Sequence, residues 1–282
     1  MSNRAWSIVD ITAMCLIPLS FLAAWRWDWF HDYAAHEPVR VWVLQIGLLL
    51  VFAVSLGLSK DRGPLGVVID EANRVSLSRL QTFIWTVLLI GGIATAISVN
   101  LARDCHEPAE GVTPAEGSCA QSPFAIDLPD QLLTLAGISA GALGAGTVIG
   151  AQNRSRNPSR ASFDDETGVR SDPVAEEMRA AGYVPMGITA GKPSPQDATL
   201  GDLVRGDVET DYYSLDLTRI QFLAFTLILA GGYAITFAQG LNQNPQQPIA
   251  TFPGFDSGLN ILLAISATTY AGTKAFRSTA IR

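Results

Sequence analysis

Charge is scarce in this chain. Asp, Glu, Lys and Arg make up 16% of the 282 residues against 48% hydrophobic, and they come in blocks separated by long runs that hold almost none. Ion-coupled pumps need ionisable groups near the bilayer midplane. Here Asp10, Arg40 and Lys274 fall near the ends of the apolar runs, whose interiors offer only groups such as Gln45, Ser55, Thr86, Ser98, Thr134, Ser139, Thr226, Thr236 and Ser266. Active transport is therefore disfavoured, while passive conduction or scaffolding is favoured. Histidine is equally sparse, and none of His31, His36 and His106 lies in an apolar run. Gly137-Ile138-Ser139-Ala140-Gly141 thus matches a nucleophile-elbow string but lacks the base that its serine would need. Gly187 to Pro193 is one residue short between its glycines for a phosphate loop, and has Pro where Ser or Thr should hold magnesium. The glycines near Gly144 follow no strand, so they are no dinucleotide fingerprint. No enzyme and no cofactor is expected.

Cysteine is limited to three residues, too few for a disulfide scaffold. Cys105 and Cys119 share one predicted outer loop, and a bridge between them would close about 15 residues and stabilise by roughly 3 kcal/mol. His31, His36 and His106 lie on the same predicted face beside Asp28, Asp32, Glu37 and Glu107. They are weak candidates for a zinc or pH-sensing site, because the spacing fits no helical metal pattern and loop residues are usually just solvated.

What is present is membrane-like. Six apolar stretches, at about 8–25, 40–58, 80–101, 130–151, 219–240 and 258–276, could each cross a hydrocarbon core, which takes about 20 helical residues. Of the 19 Lys and Arg residues only Arg26, Arg40 and Arg103 fall on one side, so the cation bias predicts a multi-pass protein with both termini cytoplasmic. Trp25 to Phe30 follows the first stretch where a signal-peptide cleavage site would need small residues, which favours an uncleaved helix.

The chain also repeats itself. Ser78-Arg79-Leu80-Gln81 with Thr86 and Gly91-Gly92 returns as Thr218-Arg219-Ile220-Gln221 with Thr226 and Gly231-Gly232, at one offset of 140 (79 to 219). The next apolar segments match at 127 (138 to 265), Leu132 to Ala140 against Leu259 to Ala267. The unit is a helical hairpin used twice in the same orientation. The fold expected is an all-α membrane protein of six transmembrane helices, built as two tandem parallel hairpins plus an N-terminal hairpin, with a small cytoplasmic segment carrying short β-hairpins. Its parts are 1–60, the N-terminal hairpin; 61–151, repeat one; 152–199, a cytoplasmic loop with a short helix signalled by Asp172, Pro173 and Gly182; and 200–282, repeat two. Val67 to Ser76 and Leu203 to Tyr213 read as strand, turn and strand before each repeat, and could pair with each other or with neighbouring subunits.

Ser78-x-x-Gln81 and Thr218-x-x-Gln221 read as capping boxes, with Arg79 and Arg219 reaching the inner headgroups. Arg79, Arg219, Gln81 and Gln221, with Thr86 and Thr226, are the candidates for lining or gating a pore. In the fourth stretch Gly137, Gly141, Gly144, Gly146 and Gly150 give small-xxx-small spacings for close helix packing, with a narrow pore wall as the other reading. Asn153 to Arg160 is basic and flanks the membrane, so lipid headgroups are expected partners. The rest of 152–216 is acidic on balance, and no duplex nucleic-acid binding is expected.

With its acidic turn, polar helix start ending in Gln, Trp85-Thr86 pair and Leu-rich Gly137-Ile138-Ser139 segment, the chain resembles a loose group of poorly characterised bacterial membrane proteins. The similarity covers about 65–150 and 200–277 and departs where Phe225 replaces Trp and Ala264 replaces Gly. It implies a bacterial inner-membrane location. By analogy with small multi-spanning effectors of anti-phage systems it also suggests a pore under a nucleotide signal. The function expected is a homo-oligomeric channel gated through its cytoplasmic segment by a soluble ligand or partner protein; the alternative is a non-conducting scaffold or signalling subunit.

Overall fold

In hydrocarbon a chain must satisfy its own amides, and the apolar runs do so as helices. A computed structural model describes residues 28–103, 122–156, 162–164, 169–171, 173–243, 247–254 and 256–279. The first apolar stretch, Cys105, Cys119 and His106 lie outside them. A short helix α1 (Asp28–His36) precedes α2 (Pro38–Ser59), α3 (Leu77–Ala102) and α4 (Asp130–Ser155). After two short strands, β1 (Ser162–Asp164) and β2 (Val169–Ser171), come α5 (Pro173–Ala180), β3 (Val184–Met186), β4 (Thr189–Gly191), α6 (Leu217–Gln243) and α7 (Ser257–Thr279). The chain is mostly helical. Among the described residues four helices are long and apolar enough to cross a membrane: Pro38–Ser59, Leu77–Ala102, Asp130–Ser155 and Leu217–Asn242. α7 has similar length but more hydroxyl groups.

The two hairpins α3–α4 and α6–α7 pack side by side, α3 against α6 and α4 against α7, while α2 lies along α3 and touches α6. Aromatic rings fill the seam. Trp42 of α2 meets Phe237 of α6 at 5.3 Å between centroids, Phe237 meets Phe252 at 5.0 Å, Trp85 meets Tyr233 at 6.2 Å, and Phe222 stacks on Tyr270 at 5.3 Å. Hydroxyls inside the helices bond their own backbone one turn back, Thr95 to the Gly91 carbonyl and Thr226 to that of Phe222, so they cost little in an apolar medium.

The repeat holds in three dimensions up to the turns. Before α3, Ser76 N–H donates to Val68 O and Asp70 N–H to Arg74 O; before α6, Asp216 N–H donates to Val204 O and Gly206 N–H to Ser214 O. The bridge between Ile69 and Val75 thus recurs between Arg205 and Leu215 with a longer turn. These preludes are single bridges, and the regular hairpins form elsewhere, β1 with β2 and β3 with β4. Nor do the two preludes pair as a sheet. The β3–β4 hairpin lies between them, with Thr189 bridged to Val208, Lys192 N–H donating to Ala72 O and Ala190 N–H to Asp207 O.

The capping boxes are corrected by two residues. Both helices start one residue before Ser78 and Thr218; Ser76 holds the N-cap position of α3 but its side chain caps no amide, while before α6 Asp216 Oδ1 accepts from the Thr218 amide at 3.0 Å. Gln81 is buried with neither amide atom paired, and Gln221 is exposed. α5 ends at the expected glycine. Gly182 takes φ +82°, Tyr183 N–H reaches Met178 O and Gly182 N–H reaches Arg179 O, which is a Schellman close.

At the far end of the bundle the two hairpin loops pair in parallel, Asp127 N–H to Ala250 O at 2.7 Å and Phe252 N–H to Asp127 O at 3.1 Å. Asn100 ties them to α3, donating to Pro123 O and Ile249 O and accepting from Ile249 N–H.

Candidate functional site: a charged layer joining the repeats

The preludes, the β3–β4 hairpin and the ends of α2, α3, α4, α6 and α7 bring together charges that are far apart in sequence. Asp207, on the second prelude, lies 2.8 Å from Arg219 at the start of α6 and 2.8 Å from Lys274 near the end of α7. Arg219 also reaches Asp216 at 3.5 Å and lies 5.6 Å from the centre of the Tyr270 ring. Burial alone would raise the Asp207 carboxyl, but Arg219 and then Lys274 outweigh it and hold the group far below the usual carboxylate range.

A second cluster joins the first prelude to the second. Asp202, 1% exposed, takes Lys192 at 3.0 Å and Arg74 at 3.8 Å, and accepts from the amides of Thr199 and Val75. Arg74 also donates to Ala190 O at 3.3 Å. With both charges desolvated, such clusters add little net stability, but removing one partner is expensive.

A third cluster is half open. Glu71 lies between Arg79, hydrogen-bonded to it, and Arg154 at the end of α4, 3.7 Å away. Burial pushes the Glu71 carboxyl up, and its backbone hydrogen bond with the Arg79 and Arg154 guanidiniums brings it below its ordinary value. Arg62 and Arg79 both donate to Ile69 O, at 3.2 and 2.8 Å.

The hairpin seats on α4 through Gly187, at φ +62°. A Cβ there would lie 2.4 Å from Asn153 O and 2.5 Å from Arg154 O. Only glycine permits the Ile188 N–H to reach Asn153 O at 3.1 Å.

Residues paired by the repeat do not share environments. Arg79 is half-buried and Arg219 buried; Gln81 is buried and Gln221 exposed; Thr86 is exposed and Thr226 buried. Around Gly91 the difference comes from α2, which packs along α3. A Cβ on Gly91 would touch Ile46 of α2 at 3.2 Å and one on Gly92 would touch Phe252 at 2.9 Å, whereas Gly231 and Gly232 meet nothing within 4 Å. In α4, Gly137, Gly141 and Gly144 also face open space, Gly146 abuts Ser78, and Gly150 sits by Arg154. His36 is exposed and bonded to Asp32 in its own helix, and the His31 side chain lies outside the described residues. Among the described residues no group of three His, Cys, Asp or Glu could hold a metal.

The charged layer has no signature in local periodicity, so Arg62, Glu71, Arg74, Lys192, Asp202, Asp207 and Lys274 were not expected as a unit. Their signal was the mirrored preludes, each ending in an acid or hydroxyl three residues before Arg79 or Arg219. Compared with known protein families, curated proteins and solved structures, the chain matches none.

Proposed function

We propose that the protein is an ion channel or pore assembled from several copies of the chain in a bacterial inner membrane, crossing it six times with both termini cytoplasmic and gated through the charged layer. One observation carries the reading. Thr134, Gly137, Gly141, Gly144, Val148 and Ala151 form an exposed stripe along α4 at alternating spacings of three and four. Beside it an open groove of about 280 Å³ runs between α4 and α7, lined by residues such as Gly141, Ala145, Ala264 and Thr268. Lipid tails give helices no hydrophobic reason to associate, so close approach of small-residue faces supplies the contact. The bare Gly231-Gly232 face of α6 is a second such surface. A stripe of mostly small residues at a subunit seam leaves a sterically open path edged by Thr134 and by backbone, and the absence of midplane charge keeps it passive. The layer of ion pairs at one end is where a soluble ligand or partner protein would change the packing of the helix ends.

Cysteine crosslinking at Gly141 in native membranes, with flux through liposomes, tests this. Oligomer-specific crosslinks with ion flux are expected. Crosslinks without flux would make the assembly a scaffold or signalling subunit, and a stable monomer would remove the channel reading.

A further inference from the structure

We propose that Arg62, Arg79 and Arg154 form a binding site for a phosphate group in which Glu71 is the resident, displaceable counter-ion. Three guanidiniums from the ends of three membrane-length helices gather at residues 69–71: Arg62 just beyond α2, Arg79 in the first turn of α3, and Arg154 in the last turn of α4. Glu71 pairs with Arg79 and Arg154, and Arg62 joins the cluster through the Ile69 carbonyl it shares with Arg79, so among the described residues Arg79 and Arg154 share a single ion-paired carboxylate. Asp70 and Asp207 line the adjoining cleft with Lys274. Asp207 is engaged by Arg219 and Lys274, and Asp70 is held in its own turn, its Oδ1 accepting from the amides of Ala72 and Arg74, with no ion pair to these arginines among the described residues.

The site is reachable. The side chains of Arg79 and Arg154 are 21% and 26% exposed, and that of Glu71 is 47% exposed. Behind Glu71 the cleft has only about 20 Å³, space for about one water. A phosphate that enters this cleft between Arg79 and Arg154 therefore displaces the carboxylate. Hydroxyl and amide groups stand at the same cleft: Ser78, Thr147, and Asn153, which is 1% exposed with its Oδ1 unpaired and can present its NH₂ by a turn of the terminal torsion. No side chain caps α3 here, since the Ser76 and Ser78 hydroxyls lie 3.2 Å from each other, and the positive end of that helix adds to the field. Forked guanidiniums grip the several oxygens of a phosphate, diester or free, with more bidentate arrangements than a single carboxylate offers. Whether the group comes from a membrane lipid or from solution, the oxygens recognised are those of phosphate. The inference does not depend on ion conduction.

The full chain in detergent is titrated with inorganic phosphate, and in a separate arm is mixed with phosphatidylglycerol or phosphatidylcholine and scored by native mass spectrometry. Binding in the first arm identifies a soluble phosphate, and selective retention of phosphatidylglycerol identifies a headgroup. In either arm Glu71→Gln should bind about threefold tighter, because a competing exposed carboxylate is gone. Arg79→Gln with Arg154→Gln should bind about tenfold weaker. Arg79→Lys with Arg154→Lys should fall between. Should the double Gln variant lose helicity, Glu71→Gln decides alone, since its half-exposed carboxyl is not needed for packing. No binding in both arms, wild-type affinity in a folded double Gln variant, or no gain from Glu71→Gln overturns the proposal.

Discussion

Asp207→Asn removes one charge and almost no volume, and its cost can be worked from the contacts. The carboxylate is the 2.8 Å partner of both Arg219 and Lys274. Without it Arg219, 5% exposed, keeps Asp216 at 3.5 Å, while Lys274 keeps no carboxylate among the described residues. Breaking a buried ion pair by removing one member costs about 3–5 kcal/mol. The Asp216 contact and the Asn dipole recover part of that, so the expected loss is about 3 kcal/mol. Thermal unfolding in detergent, followed by tryptophan fluorescence, reads it, with Asp32→Asn, which breaks only an exposed pair with His36, as the unchanged control. The pH dependence has a fixed sign. Asp207 is depressed in the folded chain, so its contribution is present above the ordinary Asp value of about 4 and is lost as pH falls below it toward the lower native value. The gap between wild type and variant should therefore narrow on acidification below about pH 4. A variant within about 1 kcal/mol of wild type at neutral pH, or a gap that widens in acid, would refute the assignment.

Gly187→Ala should cost at least about 2 kcal/mol, from the positive φ and from two backbone oxygens that cannot move, and limited proteolysis within 181–192 should speed up. Asn100→Leu should cost about 2 kcal/mol by leaving the Ile249 amide and two loop carbonyls unpaired, seen as a lower unfolding midpoint with unchanged helicity. A Cβ on Gly141 meets nothing within 4 Å and the adjoining α4–α7 groove is open, so Gly141→Leu should leave folding intact while blocking self-association, which analytical ultracentrifugation in detergent would show.

Much of this architecture can be read from residue order, because apolar run length sets helix length. The expected stretch 80–101 is the core of Leu77–Ala102, and 130–151 that of Asp130–Ser155. Helix starts moved by two residues: Asp216 takes the cap expected of Thr218, and α3 begins at Leu77 with no side-chain cap, neither of which a hydroxyl-x-x-Gln pattern signals. The repeat predicts like roles for Gln81 and Gln221. It fails there because burial is set by what packs around each helix, which the repeat does not encode. The charged layer was least legible. Val75 and Asp202, or Arg74 and Ala190, meet through long-range folding, and nothing local to either residue marks its partner.

The central claim is that several copies of this chain form a conducting path along the small-residue face of α4. It is tested most directly by ion flux through liposomes holding wild type or Gly141→Leu at equal, verified incorporation. The account predicts flux and an oligomer for wild type, and a folded, non-conducting, dissociated Gly141→Leu protein. Equal flux from both proteins, or none from a wild-type oligomer, would contradict it.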